Sequence, residues 1–365
     1  MTQPRILFLT KYSALGASSR YRMYQYLQLF RASGLQCTVA PLLPDAYLTA
    51  KYAGMSPLQA SYMSVRILAW MAARWKLLLR EASQYDAVYL QYEVLPYVPL
   101  LGEELLFRIN PRVVVDYDDA IYLNYERHSN RLVRRVLGAK IPGIVARSRH
   151  VVVGNAHLGR WACQYNDAVT IIPTSVDLRC YPSQASTAPP NGLPVIGWIG
   201  TPITAKYLSM LAEPLRALRR RHEFVLKVIG VPGFSIEGID VVTVPWNEST
   251  EVAELQTCDI GVMPVPDDPW ARGKSALKLI QYLAAGKAAV ASPVGANCDV
   301  VEDGRTGFLA STGEEWTEKL AVLIARSQLR EQLGSAGRQA VEERFCVQVN
   351  TPRMEAILRR AAEGT

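Results

Sequence analysis

Short apolar runs alternate with longer segments of helical periodicity along all 365 residues, and the alternation occurs in two series. Runs of this kind are typical of parallel strands that are buried on both faces. The first series predicts strands at 5–10, 36–42, 87–91, 112–116, 150–153 and 169–172. The second predicts strands at 195–199, 225–229, 241–244, 260–263, 288–291 and 308–309. This order of elements is typical of open, doubly wound α/β sheets.

A turn-rich stretch without periodicity, residues 181–194, separates the two series. We therefore predict an N-terminal domain over 1–180, a linker over 181–194 and a second domain over 195–345. A C-terminal helix over 346–365 is expected to pack back on the first domain. Ligands of such sheets bind at the carboxyl ends of the strands. The sequence thus predicts two Rossmann-like, doubly wound domains that face each other across a cleft.

Composition excludes several classes of protein. Hydrophobic residues make up 49% of the chain, which is too many for a disordered protein. The six cysteines form no C-x-x-C pair, as expected for thiols of a reducing compartment. The apolar run at 6–9 is shorter than a secretory signal requires, and the run at 67–73 is shorter than the ~20 residues of a membrane-spanning helix. We expect a cytoplasmic protein.

The charge of the chain is uneven. The formal net charge is +7, of which residues 1–180 carry +9 and residues 181–365 carry −2. A basic first half favours an anionic partner, which leaves nucleic acid, an anionic membrane or a phosphorylated substrate. Nucleic acid is the weakest of these because the sequence holds no aromatic-basic repeat or known binding module.

The segment 267–295 predicts a site for a diphosphate. A strand ends near residue 264, a loop carries Arg272 and Lys274, and a helix is predicted to begin near Ser275. Helix N-terminal amides beside two cations bind anions well. Lys278 and Gln281 lie on the helical face of Lys274, where they would reach a nucleotide. The segment is not a P-loop, because Asp268 stands where that motif requires glycine.

The same segment resembles the donor-site signature of GT-B fold glycosyltransferases, especially the retaining family 4 (group 1). That signature is a helix with E-A-M-A-x-G followed by P-V-V-A-x-x-x-G, and the chain has QYLAAG at 281–286 and AVASPVG at 289–295. Gln281 replaces the glutamate that binds the ribose in the family. The other family glutamate corresponds to Gly273, and Asp267 or Asp268 is the expected substitute.

Three further segments carry the resemblance. Residues 200–206, GTPITAK, resemble the family's G-R-x-x-x-x-K, which holds the donor pyrophosphate. The resemblance implies that Gly200, Thr201 and Lys206 bind the donor. Thr201 occupies the position of the family's arginine, and Arg272 or Lys274 is expected to supply the missing positive charge. IIPTSVD at 171–177 and VEDGRTGFL at 301–309 resemble the motifs that end the first domain and lie late in the second.

In the first domain, the loop between strand one and helix one is a second candidate site. Gly16 and Ala17 let the backbone approach a ligand closely, and Arg20 stands at the start of the helix. The resemblance implies that this loop faces the donor phosphates and the acceptor.

The sequence also offers carboxylates for catalysis. Asp116, Asp118 and Asp119 close the fourth strand, where mutual repulsion makes a purely structural role costly. By alignment Asp118 stands where many family members have a histidine near the reacting sugar. We assign Asp118 or Asp119 to orienting the acceptor or accepting its proton, with Glu93 as the alternative base.

Taken together, the resemblance implies a transferase that moves a sugar, with retention, from a nucleotide-diphosphate sugar without a metal. The expected acceptor is a glycan or a polyprenyl-pyrophosphate-linked glycan of polysaccharide or cell-envelope synthesis. Two alternatives remain: a GT-B sugar-nucleotide epimerase, and a non-catalytic protein that binds sugar nucleotides or glycans.

A peripheral membrane contact is also predicted. Residues 64–80 read as a basic helix with tryptophans, and a wheel at about 100° per residue places Arg66, Arg74, Lys76 and Arg80 on one half. Such helices lie in bilayer interfaces. A second basic stretch, 127–149, belongs to the same domain. We expect this domain to dock on the inner face of an anionic membrane.

Overall fold

The computed structural model describes residues 3–182 and 192–363. Within these ranges the chain forms two compact units. The first comprises the residues up to Thr174 together with the segment from Asn350 onward, and the second runs from Ser175 to Val349. Most of the predicted linker, residues 183–191, lies outside the described residues.

The first unit is built on a six-stranded parallel sheet with the strand order β2-β1-β3-β4-β5-β6. Its strands are β1 (Arg5–Tyr12), β2 (Gln36–Leu43), β3 (Ala87–Gln91), β4 (Val113–Tyr117), β5 (His150–Val153) and β6 (Val169–Ile171). All five residues of β3 and of β4 are buried, which agrees with the continuous apolar runs in the sequence. The strand order reverses between β1 and β3, so the crevice for a ligand is expected at their carboxyl ends.

Nine helices of this unit connect or cover these strands in the described residues. They are α1 (Ala17–Arg22), α2 (Leu27–Ala32), α3 (Asp45–Ala53), α4 (Pro57–Glu81), α5 (Leu101–Ile109), α6 (Leu123–Glu126), α7 (Arg131–Leu137), α8 (Lys140–Arg147) and α9 (Ala156–Ala162). Two of the helical stretches are interrupted. A 3₁₀ turn, Tyr24–Tyr26, separates α1 from α2, and an interruption around Gly138 separates α7 from α8.

The second unit repeats the plan with the strand order β12-β11-β10-β7-β8-β9, again all parallel. Its strands are β7 (Val195–Ile199), β8 (Val225–Ile229), β9 (Val241–Val244), β10 (Ile260–Met263), β11 (Ala288–Ala291) and β12 (Phe308–Leu309). Here the order reverses between β7 and β10. All six strands lie at the predicted positions, and the predicted fold class is confirmed as two six-stranded parallel α/β sheets.

The helices of the second unit follow the same alternation. They are α10 (Ala205–Leu208), α11 (Ala212–Arg219), α12 (Glu251–Gln256), α13 (Pro269–Arg272), α14 (Leu277–Ala284), α15 (Asn297–Val300), α16 (Gly313–Ala325) and α17 (Ser327–Arg344). A last helix, α18 (Val347–Glu363), starts in the second unit and continues in the first. There Leu358 is fully buried, and Arg359 donates a hydrogen bond to the carbonyl oxygen of Ser33 at 2.6 Å.

The long helix α4 is oriented differently from the prediction made with the helical wheel. Arg74, which was expected among the exposed cations, is buried. Its guanidinium donates to the carbonyl oxygens of Thr10 (3.1 Å) and Ala40 (2.8 Å), and burial lowers its pKa to about 10. Leu68, an apolar residue on the other half of that wheel, is exposed. Arg74 therefore ties α4 to the first two strands and does not reach the surface.

Candidate active site

In the second unit, the two loops at the strand-order reversal bring distant lysines to one aromatic ring. Lys206 follows β7, and its Nζ lies 5.3 Å from the centre of the Tyr207 ring. Lys274 follows β10, and its Nζ lies 5.9 Å from the same ring and 6.0 Å from that of Trp270. A third predicted donor residue, Lys278 on α14, lies with its Nζ 5.4 Å from the Trp198 ring. An aromatic ring attracts a cation that lies over its face, so these contacts help to fix the positions of the lysine side chains.

The turn after β7 allows a close approach of backbone segments. Gly200 donates its amide to the carbonyl oxygen of Ile229 at 3.0 Å, at the ends of β7 and β8. A side chain at Gly230 would collide with the carbonyl oxygen of Gly200. Thr201 donates its amide to Oγ1 of Thr204 at 3.0 Å, which shapes the turn that leads to Lys206.

In the loop after β10, the two predicted cations, Arg272 and Lys274, have different partners. Asp268 accepts a hydrogen bond from the amide of Ala271 at 2.7 Å and so caps α13. Arg272 forms an exposed ion pair with Asp267, with N–O distances of 2.6 and 2.9 Å, and this hydrogen bond lowers the pKa of Asp267. Both candidate substitutes for the missing glutamate thus have local partners. Of the two cations, it is Lys274 that shares a ring with Lys206.

The start of α14 is two residues later than predicted. The helix begins at Leu277, after Ala276, whose φ of +53° lies in the left-handed region, and Ser275 lies half-buried before it. A non-glycine residue in this region is strained by about 1–3 kcal/mol, and such strain is typical of ligand-binding loops. The surrounding loop must therefore hold this turn in place.

Gln281 is buried beside a carboxylate that the sequence analysis did not single out. Its Nε2 donates to Oε1 of Glu251 at 2.8 Å, and Nε1 of Trp246 donates to Oε2 of the same side chain at 2.5 Å. Glu251 is itself buried, at the start of α12. The position where the family has glutamate therefore holds an amide that is oriented by a neighbouring acid.

In the first unit, the loop after β1 is fixed to β3. Tyr12 donates its amide to Oγ of Ser19 at 3.0 Å, and that hydroxyl donates to Oε1 of Gln91 at 2.6 Å. Gly16 precedes α1 and has no space for a Cβ beside the Tyr12 side chain. Ala17 is exposed, and the guanidinium of Arg20 lies 5.0 Å from the ring of Tyr21. The predicted glycine at this turn is thus required by packing within the loop.

Asp116 differs from Asp118 and Asp119 because it belongs to a buried ion pair. Arg22, at the end of α1, donates to both carboxylate oxygens of Asp116 and also to the carbonyl oxygen of Ile172 at 2.7 Å. Burial opposes the charge of Arg22, yet Asp116 raises the pKa of the guanidinium above its ordinary value. In the described parts of the chain, no three His, Cys, Asp or Glu side chains are grouped as metal ligands would be.

Asp118 follows β4 and is buried against Tyr92, whose hydroxyl donates to its carboxylate. Burial, followed by the negative charge of Asp119, raises the pKa of Asp118 to about 7. Tyr92 directly follows β3 with a left-handed φ of +66°, which is rare for an aromatic residue. Asp119 is half-buried. A carboxyl group that titrates near neutrality is suited to proton transfer.

Glu93 has a different environment from Asp118. Its carboxylate accepts hydrogen bonds from Tyr125 (2.8 and 2.7 Å) and from Nζ of the buried Lys140 (2.6 Å). Lys140 lies 3.4 Å from Glu103 as well, and burial raises the pKa of Glu103. This network fixes the chain after β3, because Glu103 also accepts from the amide of Val94 at 2.9 Å.

The sequence analysis did not predict several residues of these clusters as site residues, among them Arg22, Tyr92, Lys140 and Glu251. In the sequence, Arg22 is a cation near the start of a helix, and nothing local indicates that it pairs with a strand residue 94 positions away. Tyr92 adjoins Glu93 at the end of a strand, and this position was the feature of the sequence that could have indicated a role for Tyr92. Lys140 belongs to the basic stretch 127–149 that was expected at a membrane surface, but it is buried. Glu251 carried no signal in the sequence.

The matches to known proteins agree with this arrangement. Residues 193–326, which include every predicted donor residue of the second unit, match the family model described as glycosyl transferases group 1. The chain resembles GT-B glycosyltransferases, as its sequence motifs predicted. A search of curated proteins gave no match.

Solved structures show the same fold over 97–99% of the chain. A sucrose-phosphate synthase from Thermosynechococcus elongatus is 14% identical, with a TM-score of 0.72 over 99% of this chain and 100% of that one. The HepE protein of Anabaena, in complex with UDP and glucose, is 14% identical, with a TM-score of 0.67 over 98% and 100%. WaaG, a glycosyltransferase involved in lipopolysaccharide biosynthesis, is 15% identical, with a TM-score of 0.64 over 97% and 99%. The fold is therefore GT-B.

Proposed function

We propose that the protein transfers a glycosyl group from a nucleotide-diphosphate sugar to a hydroxyl group of a glycan or lipid-linked glycan. The observation that carries this proposal is the convergence of Lys206 and Lys274 on Tyr207, where the strand order of the second sheet reverses. Ligands of doubly wound sheets bind at that place, and two fixed cations favour a group with two or more negative charges, such as a diphosphate.

Loss of a nucleoside diphosphate is helped by positive charge near its phosphates. In our proposal Lys206 and Lys274 stabilise the charge that develops as the bond to the sugar breaks. The backbone amides around Gly200 and Ser275 add hydrogen bonds, and no metal is needed. Lys278 and Gln281 contact the nucleoside, and Gly16, Ala17 and Arg20 serve the phosphates and the acceptor, as the family resemblance implies.

For the acceptor hydroxyl, Asp118 is favoured over Glu93. Lys140 and Tyr125 already bind the carboxylate of Glu93 and hold it in place. Asp118 has a raised pKa and accepts from the hydroxyl of Tyr92, so it exchanges a proton near neutral pH. Asp119, which is half-buried next to it, is the second candidate for orienting the acceptor.

The finer parts of the proposal rest on likeness to other proteins. HepE has been solved with UDP and glucose, which supports a uridine diphosphate hexose as the donor. WaaG is involved in lipopolysaccharide biosynthesis, which supports a role in polysaccharide or cell-envelope glycan assembly at the inner face of a membrane. The group 1 resemblance supports retention at the anomeric carbon.

A panel of UDP-, GDP-, dTDP- and ADP-sugars in a thermal-shift assay tests the donor site. A sugar nucleotide at ~100 times its Kd adds ~2.7 kcal/mol of stability, which is readily measured. The shift should fall in Lys206→Ala and Lys274→Ala and stay unchanged in Arg305→Ala, an exposed surface control. A panel without any shift would reject the donor site. An altered sugar after incubation with donor alone would indicate an epimerase.

A further inference from the structure

The outward face of α4 is apolar over most of its length. Among its exposed side chains are Leu58, Tyr62, Val65, Leu68 and Leu79, each 62–82% exposed. At about 100° per residue these positions fall on one half of the helix, together with the exposed Ala69, Ala72 and Ala73. We call this half the outward face of α4. Contiguous apolar surface of this kind marks an interaction site on a folded protein.

The opposite half of α4 accounts for the stability of the helix. Met63, Arg74 and Leu78 are buried, and Ile67 and Trp70 pack against the core of the first unit. At the N-terminus, Ser56 and Gln59 form a capping box, and Pro57 occupies the first turn. The 25-residue helix is therefore anchored by one half, so its outward face is presented by a rigid element.

Charge on the outward face is confined to its rim and to one end. The guanidinium of Arg66 lies at the edge of the apolar face, 5.9 Å from the ring of Tyr62 and 5.0 Å from that of Trp70. Lys76 and Arg80 are exposed in the last two turns. Before them, residues 57–73 carry no charge except Arg66, and the first acidic residue of the helix is Glu81.

We propose that the outward face of α4 docks on an anionic lipid bilayer, with the helix in the plane of the interface. Its first four turns present leucine, valine, tyrosine and alanine for burial at the level of the acyl chains and head groups. Arg66, Lys76 and Arg80 then meet the lipid phosphates. Among the described residues, no helix combines the length and the apolar character needed to span a bilayer.

Charge favours lipid over a second copy of the chain as the occupant. The outward face and its edge carry cations, but the face holds no acidic residue. Two copies of this face in contact would therefore form no ion pairs. An anionic bilayer supplies both the apolar phase and the negative charge. The same combination recurs on α7, where the exposed Leu132 and Val136 directly follow Arg131 and Arg135.

Vesicle binding by the full chain tests the proposal. We expect co-sedimentation with vesicles of phosphatidylglycerol and phosphatidylcholine, and weaker binding to phosphatidylcholine alone or at raised salt. Val65→Glu with Leu68→Glu should lower binding by about tenfold or more, because a charge would enter the apolar layer. Lys76→Gln and Arg80→Gln should each lower binding about fivefold and reduce its salt dependence.

Matched controls separate the surface from general effects. Met210→Glu with Val242→Glu changes two exposed apolar residues of the second unit and should leave vesicle binding unchanged. Because all these side chains are exposed, the unfolding temperatures should stay close to the parent value. Absent binding to anionic vesicles, or equal binding by the Val65/Leu68 variant, would overturn the proposal. A dimer that this variant abolishes would identify a second copy as the occupant.

The proposal is independent of nucleotide chemistry, so the two proposals fail separately. The α4 variants should keep the full thermal shift with a sugar nucleotide. Loss of vesicle binding with retained nucleotide binding isolates the outward face, whereas loss of both would point to a folding defect.

Discussion

At the scale of single residues, the contact between Gln281 and Glu251 gives a stability cost to a substitution that the family resemblance favours. Gln281→Glu restores the family's usual residue, and the resemblance alone predicts that donor binding persists. In this chain the new carboxylate would lie about as close to Glu251 as the present 2.8 Å hydrogen bond. Two buried carboxylates at that distance cannot both ionise without a large penalty.

We therefore expect Gln281→Glu to destabilise the protein by about 1–3 kcal/mol at pH 8, and by less at pH 5, where one proton can be shared. The double variant Gln281→Glu, Glu251→Gln restores one acid and one amide and should recover the stability. Thermal unfolding at both pH values measures this. A single variant as stable as the parent at pH 8 would show that the contact is dispensable.

Asp118 gives a second prediction, through the pH dependence of stability. Its pKa is near 7 in the folded protein and near 3.8 when unfolded. Between these values the folded state holds a proton that the unfolded state has lost, so stability from this group decreases as pH rises. Relative to Asp118→Asn, which cannot titrate, the parent should lose stability from pH 5 to pH 8.

The measurement for Asp118 is the difference in unfolding temperature between the two proteins at each pH. The exposed Asp240 serves as the control, and Asp240→Asn is compared with the parent over the same pH range. If the difference between parent and Asp118→Asn stays constant from pH 5 to pH 8, then the carboxyl group of Asp118 is not protonated in the folded state.

The sequence predicted the role of a residue only where the position of that residue relative to the strands determines the role. Lys206 and Lys274 follow strands that meet at a reversal of strand order, and parallel topology brings such loops together. Arg22 and Arg74 look like surface cations on helices. Their partners are Asp116 on β4 and carbonyl oxygens of β1 and β2, and helical periodicity gives no information about those distant groups.

At the scale of secondary-structure elements, the turn between α13 and α14 depends on the glycine that follows β11. Gly295 has a φ of +56°, and a Cβ there would lie 2.5 Å from the carbonyl oxygen of Arg272. Gly295→Ala should therefore displace the backbone that carries Lys274. We expect both a loss of stability of ~1–2 kcal/mol from the left-handed backbone and a loss of nucleotide affinity.

A matched glycine separates the two effects of this substitution. Gly286, just after α14, has a φ of +70°, and a Cβ there would meet no atom within 4 Å. Gly286→Ala should reduce stability by a similar amount and leave nucleotide affinity unchanged. Titration calorimetry with a nucleoside diphosphate measures affinity. Equal affinities for the two alanine variants would mean that Gly295 does not position the loop.

The elements themselves were predicted better than their ends and interruptions. Strands such as β3 and β11 are buried on both faces, so their apolar runs identify them in the sequence. The helix α3 was missed because Asp45–Ala53 has weak amphipathic character and follows β2 almost directly. The break between α1 and α2 falls next to the buried Arg22, in a region of tertiary contacts that the sequence does not reveal.

At the scale of the whole molecule, the last helix links the stability of the first unit to the end of the chain. In α18, Met354, Ile357 and Leu358 are buried in the first unit, and Arg353 donates to the carbonyl oxygen of Ile171 at 2.8 Å. Leu358→Ala should destabilise the protein by about 2–5 kcal/mol, as is typical of large cavities in a core.

Scanning calorimetry with and without a nucleoside diphosphate tests this assignment. If the donor binds the second unit, the nucleotide should still stabilise the Leu358→Ala variant. Val349 is on the same helix but in the second unit, and it is partly exposed. Val349→Ala should therefore change the stability of the protein little. A Leu358→Ala variant with parental stability would mean that the C-terminal segment contributes little to the first unit.

The path of α18 also bears on how the protein is made. A ribosome releases the chain from its N-terminus, and domains fold as units when their residues become available. The second unit is contiguous from Ser175 to Val349, so all of its residues have been synthesised before the segment from Asn350 is added. The first unit needs that segment to cover its core. The half of the protein that is synthesised first is therefore the half that is completed last.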